Sequence, residues 1–151
     1  MSNYKIQKWS YESLKKWIKI AFVVSEFNRK YTEQLEEINE KFLKENWFVN
    51  IKKFLVPWAF EIPAFAKFVS EKWKPDLIIC LWVIVRWETT HYEIVSNESA
   101  KAIMDLSLKL TEKTAIINWI LTCENEKQVK ERISETYAIS WLNLLLERKK
   151  V

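Results

Sequence analysis

The hydrophobic positions of this chain alternate between short continuous runs and helical spacings, which predicts repeated strand–helix units. Apolar runs rich in β-branched residues indicate strands over residues 18–24, 48–56, 77–85 and 114–121. Apolar residues spaced three and four apart indicate helices over residues 33–46, 64–72, 92–110 and 126–149. Such alternation is typical of a parallel sheet with right-handed crossovers and helices on both faces.

The third run is the most apolar of these strands. Residues 77–85 read LIICLWVIV, as expected of a central strand that is covered on both faces. We therefore predict an α/β fold, a three-layer α/β/α sandwich around a central four-stranded parallel sheet. Residues 17–151 are predicted to form a single domain. Residues 1–16, the N-terminal segment, do not follow the repeated pattern, and the sequence leaves their role open.

Aromatic, acidic and imidazole side chains follow three of the predicted strands. Phe27 follows the first strand, Glu61 the second and His91 the third. Because ligands bind beyond the carboxyl ends of the strands in an open parallel sheet, we expect these side chains to meet at one edge. Each also has an ordinary structural interpretation: Phe27 as a core residue, Glu61 as a helix cap and His91 as a surface residue at a helix start.

The composition departs from that of an ordinary globular chain, since it has no glycine and nine tryptophans. Average usage would give about 10 glycines in a chain of this length. Trp47 and Trp73 each follow a predicted helix, at the position that usually takes a left-handed glycine. We hypothesise that glycine occupies most or all of the nine positions in the natural protein, through a codon such as UGA translated as Trp under the wrong genetic code. A chain that is truly rich in Trp and devoid of glycine is the alternative.

Charge, hydropathy and cysteine usage exclude several functional classes. The formal net charge is +4, and basic residues are mixed with acidic ones rather than clustered, so we predict no nucleic-acid partner. No apolar run reaches the ~18 residues that span a membrane, so we predict no membrane partner. Cys80 and Cys123 lie at apolar positions, which is typical of buried thiols in a reducing cytoplasm. Neither cysteine has metal-ligand spacing and His91 is the only histidine, so we predict no metal.

Four segments of the chain carry distinctive motifs: VVSEFN at residues 23–28, VPWAFEIP at 56–63, LWVIVRWETTHYEIVSNESAKAIMDLSLK at 81–109 and NWILTCENEKQVKER at 118–132. In this order and spacing they resemble the motifs of the lumazine synthase family, whose second motif reads VPGAFEIP. The family pattern has glycine where this chain has Trp58, Trp82, Trp87 and Trp119, which supports the glycine hypothesis independently of the helix ends. Ala102 does not follow this pattern, because the family often has glycine there and this chain has alanine rather than tryptophan.

The resemblance implies a flavodoxin-like fold and a cytoplasmic homo-oligomer, either a pentamer or a shell of pentamers, with active sites between subunits. The implied reaction condenses two small-molecule substrates, 5-amino-6-(D-ribitylamino)uracil and 3,4-dihydroxy-2-butanone 4-phosphate. It yields 6,7-dimethyl-8-ribityllumazine, phosphate and water, which is the penultimate step of riboflavin biosynthesis. The family uses no metal and no redox cofactor, so we expect no cofactor here.

The resemblance also assigns roles to individual residues. His91 matches the catalytic proton-transfer residue of the family, and Phe27 matches the aromatic on which the pyrimidine stacks. The residues implied to bind the pyrimidine and its ribityl chain are Phe27, Ala59, Phe60, Glu61, Val83, Ile84, Val85 and Asn118. The residues implied to bind phosphate are Glu88, Thr89 and Arg132. The lysine that many members carry after this arginine is absent from ISETYA at residues 133–138, so no catalytic lysine is assigned.

Two other functions remain open at this point. A non-catalytic flavodoxin-like protein could keep the ligand pocket for binding or for shell formation, although His91, Arg132 and Glu61 argue against that. A riboflavin synthase of the archaeal type would share the fold. Product formation separates the first alternative from the leading interpretation, and the identity of the substrate consumed separates the second.

Overall fold

Strands and helices alternate along the chain, as the hydrophobic pattern predicts. The structure is a computed structural model that describes residues 10–14, 17–86 and 90–151. The elements are β1 (Ile20–Ser25), α1 (Arg29–Glu45), β2 (Ile51–Val56), α2 (Glu61–Lys72), β3 (Leu77–Val85), α3 (His91–Leu110), β4 (Ala115–Cys123), α4 (Glu126–Arg132) and α5 (Thr136–Arg148). The third predicted strand has the bounds observed for β3.

The strands form one 4-stranded parallel sheet in the order β2–β1–β3–β4. In its register, Leu77 of β3 lies opposite Ile20 of β1 on one side and opposite Ala115 of β4 on the other. Helices α1, α4 and α5 cover one face of the sheet, and α2 and α3 cover the other. This confirms the predicted three-layer α/β/α sandwich with a central four-stranded parallel sheet.

Strand β3 supplies side chains to two separate cores. Its odd-numbered residues from 77 to 83 pack in the first core, under α1, α4 and α5. Its even-numbered residues from 78 to 84 pack in the second core, under α2 and α3. Because the side chains of a strand point alternately to opposite faces, a central strand buried on both sides must be apolar throughout. The continuous apolar run in the sequence has this cause.

Helix α1 ends in a Schellman motif at the position where the sequence predicts a left-handed residue. Trp47 has φ 68°, in the region that favours glycine. The Trp47 N–H donates to the Lys44 carbonyl at 2.9 Å, and the Phe48 N–H donates to the Leu43 carbonyl at 3.0 Å, which is the hydrogen-bond pattern of this cap. A residue with a β-carbon in this conformation costs about 1–2 kcal/mol. The prediction for Trp47 is confirmed.

The left-handed residue that follows α2 lies one position later than the prediction for Trp73 requires. Trp73 is the C-cap with φ −98°, which any residue adopts, whereas Lys74 has φ 50°. The Trp73 and Lys74 N–H groups both donate to the Val69 carbonyl, at 2.9 and 3.3 Å. The left-handed conformation falls on the residue after the C-cap, so the position that favours glycine is 74. The prediction for Trp73 is therefore wrong by one residue.

The helix predicted over residues 126–149 is in fact two helices, α4 and α5. Between them Ile133 is extended, with φ −70° and ψ 110°. The amide of Asn39, buried in α1, binds the backbone at this break: Nδ2 donates to the Ser134 carbonyl at 3.3 Å and Oδ1 accepts from the Ala138 N–H at 2.9 Å. The prediction of one helix is wrong because this distant side chain satisfies backbone groups that a continuous helix would satisfy itself.

Helices α1 and α2 begin earlier than their apolar spacing predicts, at Arg29 and Glu61. Asn28 precedes α1 in the left-handed conformation with φ 59°, which asparagine tolerates. Its Nδ2 donates to the Val83 carbonyl at 2.9 Å, so the start of α1 is attached to the end of β3. Pro63 lies in the first turn of α2, where its missing N–H interrupts no helical hydrogen bond.

The described part of the N-terminal segment, residues 10–14, packs against α1 and α5. The Tyr11 ring meets the Phe42 ring edge-on with centroids 6.4 Å apart, and the Tyr11 hydroxyl donates to Oδ1 of Asn143 at 3.0 Å. Leu14 is buried in the same core. This part of the N-terminal segment is therefore joined to the first core.

Three buried tryptophans place an indole N–H where no hydrogen-bond acceptor lies among the described residues: Trp82, Trp119 and Trp141. An indole N–H can only donate, and a buried donor without an acceptor costs about 1–3 kcal/mol. A buried indole donor of this kind is unfavourable at each position, which supports the glycine hypothesis there.

We expect Trp47→Gly to raise the free energy of unfolding by about 1 kcal/mol, because glycine adopts the left-handed conformation without the penalty of a β-carbon. Trp17→Gly is the matched control, since Trp17 and Trp47 are 72% and 74% exposed but only Trp47 has a positive φ. Chemical denaturation followed by circular dichroism measures both variants. Equal effects of the two substitutions would contradict the left-handed assignment.

Candidate active site

A cavity of about 500 Å³ lies at the carboxyl edge of the sheet, on the side of the second core. Its walls come from the segments after β1 and β2, the end of β3 and the first turns of α3. The lining residues are Phe27, Trp58, Ala59, Phe60, Glu61, Trp82, Ile84, Val85, His91, Tyr92 and Val95. All of them except Trp58, Trp82, Tyr92 and Val95 are residues that the sequence assigns to the site.

Phe27 is positioned by hydrogen bonds of its backbone. Its N–H donates to Oγ of Ser25 at 3.1 Å and to the Pro57 carbonyl at 3.3 Å. These bonds attach the residue to the end of its own strand and to the segment that follows β2. The half-buried ring then faces the cavity rather than the core.

The ring of Phe27 is stacked against the indole of Trp58. The ring centroids are 4.8 Å apart and the ring planes are inclined by 28°. This is the offset-stacked geometry that aromatic pairs prefer. One face of Phe27 is therefore in contact with another part of the same chain.

Glu61 is the first residue of α2, and its Oε2 accepts a hydrogen bond from the Trp58 N–H at 2.8 Å. A carboxylate at a helix N-terminus also interacts favourably with the helix dipole. The ordinary structural interpretation of Glu61 as a helix cap therefore holds through the dipole alone, since its hydrogen bond goes to Trp58, which precedes α2. The same carboxylate lines the cavity, so its structural contact does not remove it from the candidate site.

His91 is the exposed first residue of α3 and forms part of the cavity wall. The first turn of this helix is held by Arg86, whose guanidinium pairs with Glu93 and, at 2.7 Å, with Glu124 after β4. The Cζ atom of Arg86 also lies 4.2 Å from the centre of the Tyr92 ring. Arg86 thus connects the ends of two strands to the turn that carries the imidazole.

Several residues assigned from the sequence do not line this cavity. The Val83 side chain packs in the first core, on the opposite face of the sheet. Asn118 is exposed midway along β4, and Arg132 is half-buried at the end of α4, which also covers the opposite face. Glu88 and Thr89, assigned to phosphate, lie outside the described residues.

Trp58 and Tyr92 line the cavity, although the sequence does not predict them as site residues. Trp58 stands inside the VPWAFEIP motif, but the glycine hypothesis removes its side chain from consideration. Tyr92 follows His91 directly, and the cation–π contact with Arg86 that places its ring is a spatial relation without a local sequence signal. Trp82 and Val95 are core residues that also border the cavity.

The cavity combines apolar and aromatic walls with one carboxylate and one imidazole, a lining suited to a planar organic molecule with polar substituents. Within residues 10–14, 17–86 and 90–151, no three or more His, Cys, Asp or Glu side chains are grouped so that they could hold a metal ion. Over the same residues, no helix has both the length and the hydropathy of a membrane span.

Comparison with known proteins points to one family. The sequence model of the 6,7-dimethyl-8-ribityllumazine synthase family matches residues 17–148, which include every element that lines the cavity. A protein of Sphingopyxis alaskensis named 6,7-dimethyl-8-ribityllumazine synthase is 44% identical over 81 residues, which cover 54% of this chain and 55% of that protein. The chain thus spans about half the length of this curated relative.

The Arg86 guanidinium lowers the pKa of the Glu93 carboxyl below its ordinary value of 4.5. Because the folded pKa is lower than the unfolded one, the pair stabilises the fold above about pH 4.5, and this contribution is lost as the pH falls through the folded pKa. We expect Arg86→Gln to return the Glu93 pKa towards 4.5 and to remove this stabilisation. Titration of the Glu93 carboxyl carbon by NMR measures the shift.

Lys101→Gln is the control for this titration, because it removes another cation of α3, one that pairs with Asp105 rather than with Glu93. It should leave the Glu93 pKa unchanged. A Glu93 pKa that is the same in the unsubstituted chain and in Arg86→Gln would show that the ion pair does not stabilise the first turn of α3.

Proposed function

The chain belongs to the 6,7-dimethyl-8-ribityllumazine synthase family, and we propose that it condenses 5-amino-6-(D-ribitylamino)uracil with 3,4-dihydroxy-2-butanone 4-phosphate. The products are 6,7-dimethyl-8-ribityllumazine, phosphate and water, and the step is the penultimate one of riboflavin biosynthesis. The observation that carries this proposal is the cavity in which Phe27, Glu61 and His91 meet. Together they offer a stacking face, a carboxylate acceptor and a group that transfers protons.

The pyrimidine ring is assigned to the face of Phe27, where an offset ring pair contributes about 0.5–1.5 kcal/mol. Ala59 and Phe60 form the adjacent wall of the cavity. The polar edge of the ring is assigned to the backbone at the end of β3, at residues 83–85. The Val83 carbonyl already accepts from Nδ2 of Asn28 at 2.9 Å, so its second lone pair would serve the ring. This role uses the main chain, so it is compatible with a Val83 side chain that packs in the opposite core.

The ribityl chain is assigned to Glu61, whose carboxylate accepts hydrogen bonds from hydroxyl groups. Hydrogen bonds to an ionised carboxylate are about twice as strong as bonds between neutral groups. Since Oε2 of Glu61 already accepts from the Trp58 N–H, we assign the ribityl hydroxyls to Oε1.

Proton transfer is assigned to His91. The amine of the pyrimidine first attacks the ketone and loses water to form an imine, phosphate then leaves, and the ribityl-bearing nitrogen closes the ring with loss of water. Each step moves a proton, and a neutral imidazole carries one nitrogen that donates and one that accepts, which suits it to give and take protons in turn. Holding two substrates in one cavity lowers the entropic part of the barrier as well.

The phosphate of the second substrate is assigned to Glu88, Thr89 and Arg132. In the sequence Glu88 and Thr89 come just before Thr90, the N-cap of α3, a helix of 20 residues. Amide groups at the start of a helix favour an anion. The guanidinium of Arg132 would add a charge-assisted partner.

Arg132 and Asn118 lie away from the cavity of their own chain, so we propose that a neighbouring subunit supplies them. The proposed assembly is a homo-oligomer, either a pentamer or a shell of pentamers. Asn118 is exposed on the edge strand β4, where another copy can reach it. Phe60, which lines the cavity, is 47% exposed, and Leu55 on the edge strand β2 is 50% exposed. Exposed apolar side chains of this kind suit burial by a second subunit.

A cytoplasmic location fits the state of the cysteines. Cys80 packs in the second core and Cys123 in the first, so the sheet separates the two free thiols. Burial raises the pKa of the Cys80 thiol to about 12, which leaves it protonated and unreactive. The proposed reaction requires no metal, redox cofactor, nucleic acid or membrane.

Given both substrates, the chain is expected to form the lumazine and release phosphate, and His91→Ala is expected to be slower by about 10–1000-fold because general acid–base assistance is lost. Absorbance of the lumazine and release of phosphate measure the two products. Met104→Ala, at an exposed position of the same helix, is the control and should keep the full rate.

Other outcomes of this experiment would select another function. Binding of the pyrimidine without product would favour a non-catalytic ligand-binding protein. When the lumazine is supplied in place of the two substrates, its consumption with formation of riboflavin would favour a riboflavin synthase of the archaeal type. An unchanged rate of His91→Ala at saturating substrates would exclude His91 from the mechanism.

We expect Arg132→Ala to weaken the apparent affinity for the phosphate-bearing substrate by about ten- to a hundredfold, since a hydrogen bond to a charged group contributes about 1.5–3 kcal/mol. Lys130→Ala removes a neighbouring cation of α4 and should leave that affinity unchanged. KM values for each substrate measure the effect. If the pyrimidine's KM rises instead, the phosphate assignment is wrong.

A further inference from the structure

The Trp58 indole lies where the proposed function places the pyrimidine. Its ring centroid is 4.8 Å from that of Phe27 and the two planes are inclined by 28°, so the pair reproduces the contact expected between Phe27 and a planar substrate. Both side chains line the same cavity. Two rings cannot occupy one face of Phe27 at the same time.

The indole can leave this position without disturbing the fold. Trp58 is 55% exposed and belongs to neither core, so rotation of its side chain breaks no interior packing. Its backbone remains anchored meanwhile, because its N–H donates to Oε2 of Glu61 at 2.8 Å. The indole of Trp58 can therefore rotate while the backbone of the same residue stays in place.

We propose that the Trp58 indole is an internal occupant of the Phe27 face, which a planar substrate ring must displace in order to bind. The identity of that ring rests on the proposed function. Residue 58 then determines how much of the protein is ready to bind, since apparent affinity falls in proportion to the fraction of molecules whose site is open. The residue acts through Phe27 and does not take part in the chemistry.

The expected change in affinity for the pyrimidine follows from the free energy of the stack between Trp58 and Phe27. The free energy of an aromatic pair corresponds to about two- to tenfold in an equilibrium constant. Replacing the indole by hydrogen is therefore expected to tighten binding of the pyrimidine by about two- to tenfold. The phosphate-bearing substrate does not use the Phe27 face, so its KM should not change. If glycine occupies position 58 in the natural protein, that protein has the open site.

The test compares the chain with Trp58→Gly, and with Trp17→Gly as a control that removes another exposed indole. The probe is 6-(D-ribitylamino)uracil, which keeps the ring and the ribityl chain but lacks the 5-amino group that reacts. Calorimetric titration measures its affinity for each protein. Nuclear Overhauser contacts between the Trp58 and Phe27 ring protons report the stack directly in the ligand-free chain.

The expected result is tighter binding by Trp58→Gly alone, together with ring–ring contacts that disappear when the probe is added to the chain. Equal affinities of the chain and Trp58→Gly would overturn the internal occupant while leaving the proposed function intact. If no variant binds the probe, the proposed function fails. The Overhauser contacts then test independently whether the Trp58 indole occupies the face of Phe27. Their presence in the ligand-free chain supports this proposal, and their absence overturns it.

Discussion

The burial of β3 on both faces is the constraint on which the rest of the structure depends. A strand with neighbours on both sides and helices above and below has no position for a polar side chain. Covering both faces requires crossovers that carry the chain over each face in turn, and right-handed parallel crossovers bring every strand-to-helix turn to one edge of the sheet. The cavity lies at this edge. Its location therefore follows from the burial of the apolar strand β3 by helices on both faces of the sheet.

The sequence predicts best where local pattern and structure have the same cause. The bounds of β3 follow from its apolar run, and the meeting of Phe27, Glu61 and His91 follows from topology alone. The break between α4 and α5 could not be found in this way, because it depends on a bond from Asn39 to a carbonyl 95 residues further along the chain. The stack of Trp58 on Phe27 escaped prediction for the same reason, since it joins the ends of two different strands.

The tryptophans affect the structure in three physically distinct ways. At Trp47 the backbone adopts a conformation that a β-carbon opposes. At Trp82, Trp119 and Trp141 a buried donor finds no acceptor among the described residues. At Trp58 φ is not positive and the backbone N–H is hydrogen-bonded, but the indole ring fills space that the proposed reaction needs. A single substitution to glycine would relieve strain, desolvation or obstruction, depending on the position.

The contact of Tyr11 and Leu14 with the first core limits how far the chain can be shortened at its N-terminal end. The region shared with the family begins at residue 17, but the hydrophobic interior begins earlier in the chain. Trimming to the shared region would remove the cover from the seam between α1 and α5 and expose the apolar surface beneath it. The segment matched by the family is thus shorter than the segment that forms the hydrophobic core. A shortened form of the protein made for expression should keep the residues of the core.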